Sequence, residues 1–493
     1  MMGGRLMLAD HMECLGLCLR VPRNGLRLVL FVISVLGAIL ETLGADANAD
    51  WNRNRRVEEL KTRDGIGNFM SKISAGKDVV VAYIGGSITC GDTSWRAKTT
   101  KWLRKTYPKV RITEINAALG GTDSSLGVFR YDEDVLSKNP DLVLIEFACN
   151  DTGLDIPTSR RSMEGMVRKT WKRNPTTDIV FTYVICSYMT NDYCRGFYPR
   201  GASVHEEIAE RYGIPSVCFG VRVANLCSHN AIVMRAAELS PSLREMSSKL
   251  KFPTEGDYEG KSGTKRGRPI FSFDGVHPTP DGHQLYATCM RDAFRSLDGR
   301  SGVHHGKRIE EPMFDGDYEF AKWFYVPTDA LKGEGWKPFT VPDGGRAWSR
   351  LRGKDVQLFR TDTAGDGIKF RFRGTRCGLY GLFGPNGAKI EVRIDGVRTR
   401  RDIDLFDMYS SYYRFCPVTL FEGKDGLHDV EVRLSSELPD RIKLGAPRIK
   451  YEDLKNAIYD GSALIVSRLT MLGDLVKDTP ACAGEGNEQR RAD

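Results

Sequence analysis

Apolar and polar positions along this chain fall into blocks of two characters. Between residues 61 and 300, short apolar runs are separated by longer amphipathic stretches. The runs Val79–Ile84, Arg111–Asn116, Leu142–Phe147 and Ile179–Val184 have the length and β-branched content of strands, with a shorter fifth at Pro215–Phe219. Helical patterns separate them at Ser94–Tyr107, Leu126–Leu136, Ser162–Asn174 and Ser203–Tyr212. A helix or edge element is expected over residues 61–76, and Gly282–Leu297 closes the segment as a further helix. Strands alternating with helices predict a parallel sheet covered on both faces, a three-layer doubly wound α/β fold. Right-handed crossovers then bring the carboxyl ends of the strands, and the loops that follow them, to one edge.

Two segments break this rhythm. Over residues 221–272, Met234, Leu239, Leu243, Met246 and Leu250 suggest helical turns, followed by a polar Gly/Lys-rich loop at 255–269. This reads as an insertion that arrives just before Asp274. Beyond residue 310 the pattern becomes short strands between Gly/Asp turns: Val356–Phe359, Ile368–Phe372, Gly378–Phe383, Lys389–Ile394 and His428–Leu434. Asp395-Gly396 is a hairpin signal. A second, β-sandwich-like domain is therefore expected over 310–450, then a C-terminal segment at 451–475 and a disordered tail at 476–493. Trp323, Phe324, Tyr325, Trp336, Trp348, Tyr412 and Tyr413 fall in this half, as core and interdomain packing or as a sugar-stacking platform; packing is the commoner use.

At the other end, the 13-residue apolar run Leu28–Leu40 follows Arg20, Arg23 and Arg27 and precedes the small-residue stretch Ala45–Ala49. That layout predicts a signal peptide, or failing cleavage an N-terminal anchor, over residues 1–49. The run is short for a bilayer span, so no stable membrane span is expected after cleavage, and the mature chain is expected to be secreted, periplasmic or at the cell surface.

The chemistry begins where the first buried run ends. Gly85-Gly86-Ser87-Ile88-Thr89 places a serine at the carboxyl end of a central strand, after two glycines that let the backbone turn sharply. A serine hydroxyl needs a base to become a nucleophile, and a histidine base needs a carboxylate to fix its tautomer. Asp274 and His277, three residues apart in Phe273-Asp274-Gly275-Val276-His277-Pro278, can supply both. Asn150, at the end of Leu142–Asp151, offers an amide to a developing oxyanion.

These blocks resemble the SGNH hydrolases, the GDSL-type esterase and lipase family, over roughly residues 75–297. The resemblance implies the flavodoxin-like SGNH hydrolase fold, with a catalytic domain at 61–300. It implies Ser87 as nucleophile, Asp274 and His277 as the remaining catalytic pair, and an oxyanion hole of Ser87, Gly121 and Asn150. Gly121 lies in the matching block Asn116–Asp123. Gly86 stands where the family usually has aspartate and Ala148 where it has glycine, which marks a divergent branch without removing a catalytic group.

Composition narrows the reading. The chain has 493 residues, more than one hydrophobic core usually holds. Lys and Arg number 72 against 64 Asp and Glu, a net charge of +8 spread over dispersed patches, so a nucleic-acid partner is not expected. There is no Cys-x-x-Cys, and His277 and His283 lack the spacing of a metal site. No metal or organic cofactor is therefore expected. Among the 12 cysteines, Cys186 with Cys194 and Cys218 with Cys227 are candidate local disulfides, while Cys149 and Cys289 read as buried thiols.

The expected function is a secreted serine esterase that removes O-acyl, chiefly O-acetyl, groups from a polysaccharide or oligosaccharide. The rivals are a general small-ester esterase or lipase, an O-acyltransferase and an inactive glycan-binding protein. Oligomeric state is left open by the sequence.

Overall fold

The computed structural model describes residues 51–250, 268–341, 357–399, 401–446 and 448–476, without the side chains of 243 and 246. The expected leader, most of the polar loop at 255–269, Trp348 and the tail beyond 476 lie outside the described residues. From Asn52 onward the described chain belongs to one compact unit.

Six strands form the first sheet: β1 (Leu60–Lys61), β2 (Val79–Gly85), β3 (Ile112–Asn116), β4 (Leu142–Glu146), β5 (Asp178–Tyr183) and β6 (Ser216–Cys218). Their order is β1-β6-β5-β4-β2-β3. β2 to β6 run parallel, while β1 pairs antiparallel with β6. The five parallel strands thus have the flavodoxin-like order, whose switch point lies between β2 and β4, where ligand crevices form. β2 is central because its run Val81–Ile84 carries no charge and is completely buried.

Helices cover both faces of the sheet, and their ends follow local chemistry. Asp155 caps the helix Ile156–Arg173 by accepting the Thr158 N–H at 2.8 Å, with Pro157 in the first turn, which explains why it starts before the expected Ser162. Asp123 caps Ser124–Asp134, and Thr279 caps Pro280–Leu297. The insertion is less helical than its apolar spacing suggests. Met234 lies in the strand Val233–Arg235, which pairs in parallel with Ile270–Ser272, and helices Phe219–Ser228 and Pro241–Ser248 flank that strand.

The second half is a β-sandwich-like domain built on one antiparallel sheet that includes three long strands, Gly367–Phe383, Arg414–Leu434 and Leu464–Val476. The separate strands expected at 368–372 and 378–383 are one strand, with register shifts between Gly374 and Arg376 and between Cys377 and Gly378. Leu464–Val476, expected within a C-terminal segment, instead pairs with 367–383 and with Phe359–Thr361. Asp395 and Gly396 both adopt positive φ in a two-residue hairpin between Ile394 and Val397.

This sheet packs on the catalytic half through Ala321–Tyr325, which pairs with Leu464–Val476. Arg468 donates to both carboxylate oxygens of Glu133 at 2.9 Å, and its guanidinium lies over the rings of Trp323 and Tyr325. The Trp323 indole N–H also reaches Glu133, at 2.6 Å. Tyr380, with Phe415 stacked on it, packs against Leu119 and Leu126. Trp323 is thus an interdomain contact, while Tyr325 packs under Arg468 within the β sheet; Phe324 and Trp336 pack on the β core, and Tyr413 on Phe339. Among the described residues no helix is long and apolar enough to cross a membrane.

Cys149 and Cys186 form a disulfide, correcting the expected pairs Cys186–Cys194 and Cys218–Cys227 and the reading of Cys149 as a thiol. Both cysteines lie just past the carboxyl ends of the paired strands β4 and β5, so the sheet brings them together across 37 residues of sequence. Cys194, Cys218 and Cys227 are free, and Cys289 is a buried thiol.

Candidate active site

Three loops meet at the switch point. β2 ends at Gly85, and Ser87 opens the short helical turn Ser87–Cys90 after an extended Gly86. The turn after β3 is tied to this strand end by the Leu119 N–H, which donates to Gly85 O at 2.9 Å. That turn carries Gly121 at φ +76°, a left-handed conformation suited to glycine. The loop after β4 carries Asn150, whose amide lies against Gly86: a Cβ at Gly86 would sit 2.4 Å from Asn150 Oδ1. Glycine here leaves the Asn150 amide in place. A side chain there would displace the amide.

The fourth element is the turn between Ser272 and Pro278, which form an isolated antiparallel bridge. Asp274 organises it. Its Oδ1 accepts the N–H groups of Val276 and His277, each at 2.8 Å, and the Ser272 hydroxyl at 3.0 Å. Its Oδ2 lies 2.6 Å from His277 Nδ1, and His277 Nε2 lies 2.8 Å from Ser87 Oγ. A carboxylate can only accept, so Nδ1 carries the proton and Nε2 is left to accept the Ser87 hydroxyl proton. Partial burial opposes ionisation of Asp274. The hydrogen bonds from the His277 ring and from the His277 and Val276 N–H groups outweigh it and hold the carboxyl well below the usual range. The side chains of His277 and Asp274 are each about half exposed, so the site opens directly to solvent.

Every residue the sequence proposed for catalysis lies on these four loops. Ser87, His277 and Asp274 form one hydrogen-bonded row, and Asn150 adjoins the nucleophile turn. Gly121 lies on the turn anchored to the end of β2. His283 is separate: it sits in the first turn of Pro280–Leu297, where its Nδ1 accepts the Trp95 N–H at 3.3 Å. Burial lowers its pKa to about 4, with Lys98 and His277 adding to the shift.

Sequence reasoning missed the polar supports beneath these loops. Asp151, fully buried, accepts the N–H and hydroxyl of Ser124 at 2.9 and 2.6 Å, the Ser159 hydroxyl at 2.8 Å and His205 Nε2 at 2.8 Å. It therefore joins the Asn150 loop to the helix that follows Gly121. Under the nucleophile turn, buried Glu146 accepts the Thr89 hydroxyl at 2.8 Å. Trp95 Nε1 in turn donates to Thr89 Oγ1 at 3.1 Å. Burial pushes the Glu146 carboxyl up to about 8 against the hydrogen bonds from Thr89 and the Gly86 backbone. The only signal of Glu146 in the sequence was a lone acid ending an otherwise apolar run. Nothing local marked His205 or Ser159.

Among the described residues, no group of three or more His, Cys, Asp and Glu side chains is arranged to hold a metal ion.

Residues 83–285 match the GDSL-like lipase/acylhydrolase family model. A two-domain esterase active on acetylated mannans, crystallised with mannopentaose, is similar in fold over 84% of this chain and 98% of its own, at 20% identity and a TM-score of 0.59. The same esterase without that sugar gives 83%, 98%, 20% and 0.59. An acetyl xylan esterase shares 16% identity over 44% of this chain and 99% of its own, with a TM-score of 0.31. No curated protein matches the chain. Residues 83–285 belong to the GDSL-like lipase/acylhydrolase family, and the protein is an ester-hydrolysing serine hydrolase.

Proposed function

We propose that this protein is an exported carbohydrate esterase that removes O-acyl, chiefly O-acetyl, groups through an acyl-enzyme. The observation that carries the reading is the hydrogen-bonded row from Ser87 through His277 to Asp274. His277 Nε2 takes the Ser87 proton as Oγ attacks the ester carbonyl. The Asn150 amide and the Ser87 and Gly121 N–H groups receive the oxyanion, and Asp274 stabilises the imidazolium. Collapse breaks the bond to the sugar oxygen, which leaves as a hydroxyl with the proton from His277. Water then gives its proton to His277 and attacks the acyl carbon; the second collapse releases the carboxylic acid and restores Ser87.

The half-exposed His277 and Asp274 favour an ester on a bulky alcohol. The likeness in fold to a two-domain esterase active on acetylated mannans supports a carbohydrate as that alcohol. The apolar leader and the Cys149–Cys186 disulfide support export to an oxidising compartment. Acetate release from acetylated polysaccharides tests the proposal, with Ser87→Ala expected to lose at least about a thousandfold in kcat. Ser87-dependent cleavage of p-nitrophenyl acetate with no release from any glycan would remove the carbohydrate assignment and keep the mechanism. Retained glycan binding without Ser87-dependent turnover would favour a binding protein.

A further inference from the structure

Few large apolar side chains in the catalytic half are exposed. Among its described residues from 52 to 300, the exposed ones are Tyr188, Leu250 and Phe273, at 56%, 36% and 55%. Two of these three stand on loops that carry or adjoin the catalytic groups. Phe273 immediately precedes Asp274. Tyr188 follows Ser187, whose N–H donates to Gly275 O at 2.7 Å, which stitches its loop to the turn of Asp274 and His277. On its other side, the Tyr188 hydroxyl donates to Cys149 O at 3.0 Å, beside Asn150. The Cys149–Cys186 disulfide fixes the base of the same loop. Tyr188 therefore bridges the oxyanion loop and the acid–base turn, with its hydroxyl engaged and its ring in solvent.

We infer that Tyr188 and Phe273 form a stacking lip that holds the pyranose ring bearing the scissile acyl group. This deepens the carbohydrate reading above and rests on it. An ester held at Ser87 must project its alcohol part out of an open site, past these two loops. A pyranose presents C–H groups on one face and hydroxyls at its rim, so it covers an aromatic face while keeping its polar edge in water. A long acyl chain on the same half-exposed rings would leave much of its surface wet and gain less.

The test is steady-state kinetics of the full chain and of Tyr188→Ala, Tyr188→Phe and Phe273→Ala. The substrates are an acetylated manno- or xylo-oligosaccharide, p-nitrophenyl acetate and p-nitrophenyl octanoate. Each alanine variant is expected to raise KM for the oligosaccharide by up to about tenfold, lowering its kcat/KM relative to p-nitrophenyl acetate. Tyr188→Phe, which keeps the ring, is expected to restore most of that ratio. The inference is overturned if both alanine variants leave the oligosaccharide-to-acetate ratio within about twofold of the parent. It is also overturned if the octanoate ratio falls instead, which would assign the lip to the acyl chain. A parent that cleaves p-nitrophenyl acetate through Ser87 but no acetylated oligosaccharide overturns the carbohydrate reading and this inference together.

Discussion

Glu146 and His283 are linked to the turn after Ser87 through Thr89 and Trp95, and they respond to burial in opposite ways. Glu146 is pushed up to about 8, so the folded protein holds a proton that the unfolded chain releases above its ordinary value of 4.5. Stability from this group is full below 4.5 and is lost as pH rises toward 8. His283, lowered to about 4, contributes stability above its ordinary 6.5 that is lost as pH falls through 4. In Glu146→Gln the first dependence disappears and the second stays. The melting temperature of the variant relative to the parent should therefore climb between pH 5 and pH 8, and a pH-independent difference would contradict the assignment. The candidate triad was legible in the sequence because its residues lie in short motifs: Ser87 after two glycines, Asp274 and His277 three residues apart. Glu146, Asp151, Ser159 and His205 were not, because their roles depend on contacts between separate elements.

At the scale of elements, the paired strands β4 and β5 explain why the disulfide was misread. Spacing along the chain favours local pairs, whereas a parallel strand pair brings together residues separated by a whole crossover helix. Replacing Cys149 and Cys186 with serine should cost about 2–4 kcal/mol in urea unfolding through the lost constraint on the unfolded chain. It should also lower kcat on p-nitrophenyl acetate by loosening the loop of Asn150; unchanged kcat with reduced stability would confine the bond to a structural role. The catalytic strands were legible because uninterrupted apolar runs such as Val79–Ile84 have few other uses. Gly367–Phe383 was split in two because Gly374, between the two expected strands, resembles a turn residue. Gly374 instead faces Gly473 across the ladder, where a Cβ would come 2.0 Å from Leu472 O. Close approach of two backbones, not a chain reversal, requires glycine there.

Across the whole molecule, the second domain braces the first near the turn that carries Gly121. Tyr380 packs on Leu119, two residues before Gly121, and Arg468 engages Glu133 on the helix that follows it. Arg468 is almost fully buried, so Arg468→Ala removes charged hydrogen bonds and ring packing together. The expected loss is about 2 kcal/mol, read from the urea midpoint; an unchanged midpoint would show that the clamp contributes nothing. Little of this was legible, since Arg468 lies in a segment that the sequence pattern separated from the β domain.

The placement of Leu464–Val476 also bears on biosynthesis. A ribosome makes this strand after every other described strand, yet it lies inside the sheet and carries Arg468. The parallel sheet can assemble earlier, but its brace waits for translation to pass residue 476. A nascent chain stalled before that point would hold the catalytic motifs without the Arg468–Glu133 clamp, a state open to chaperones and proteases.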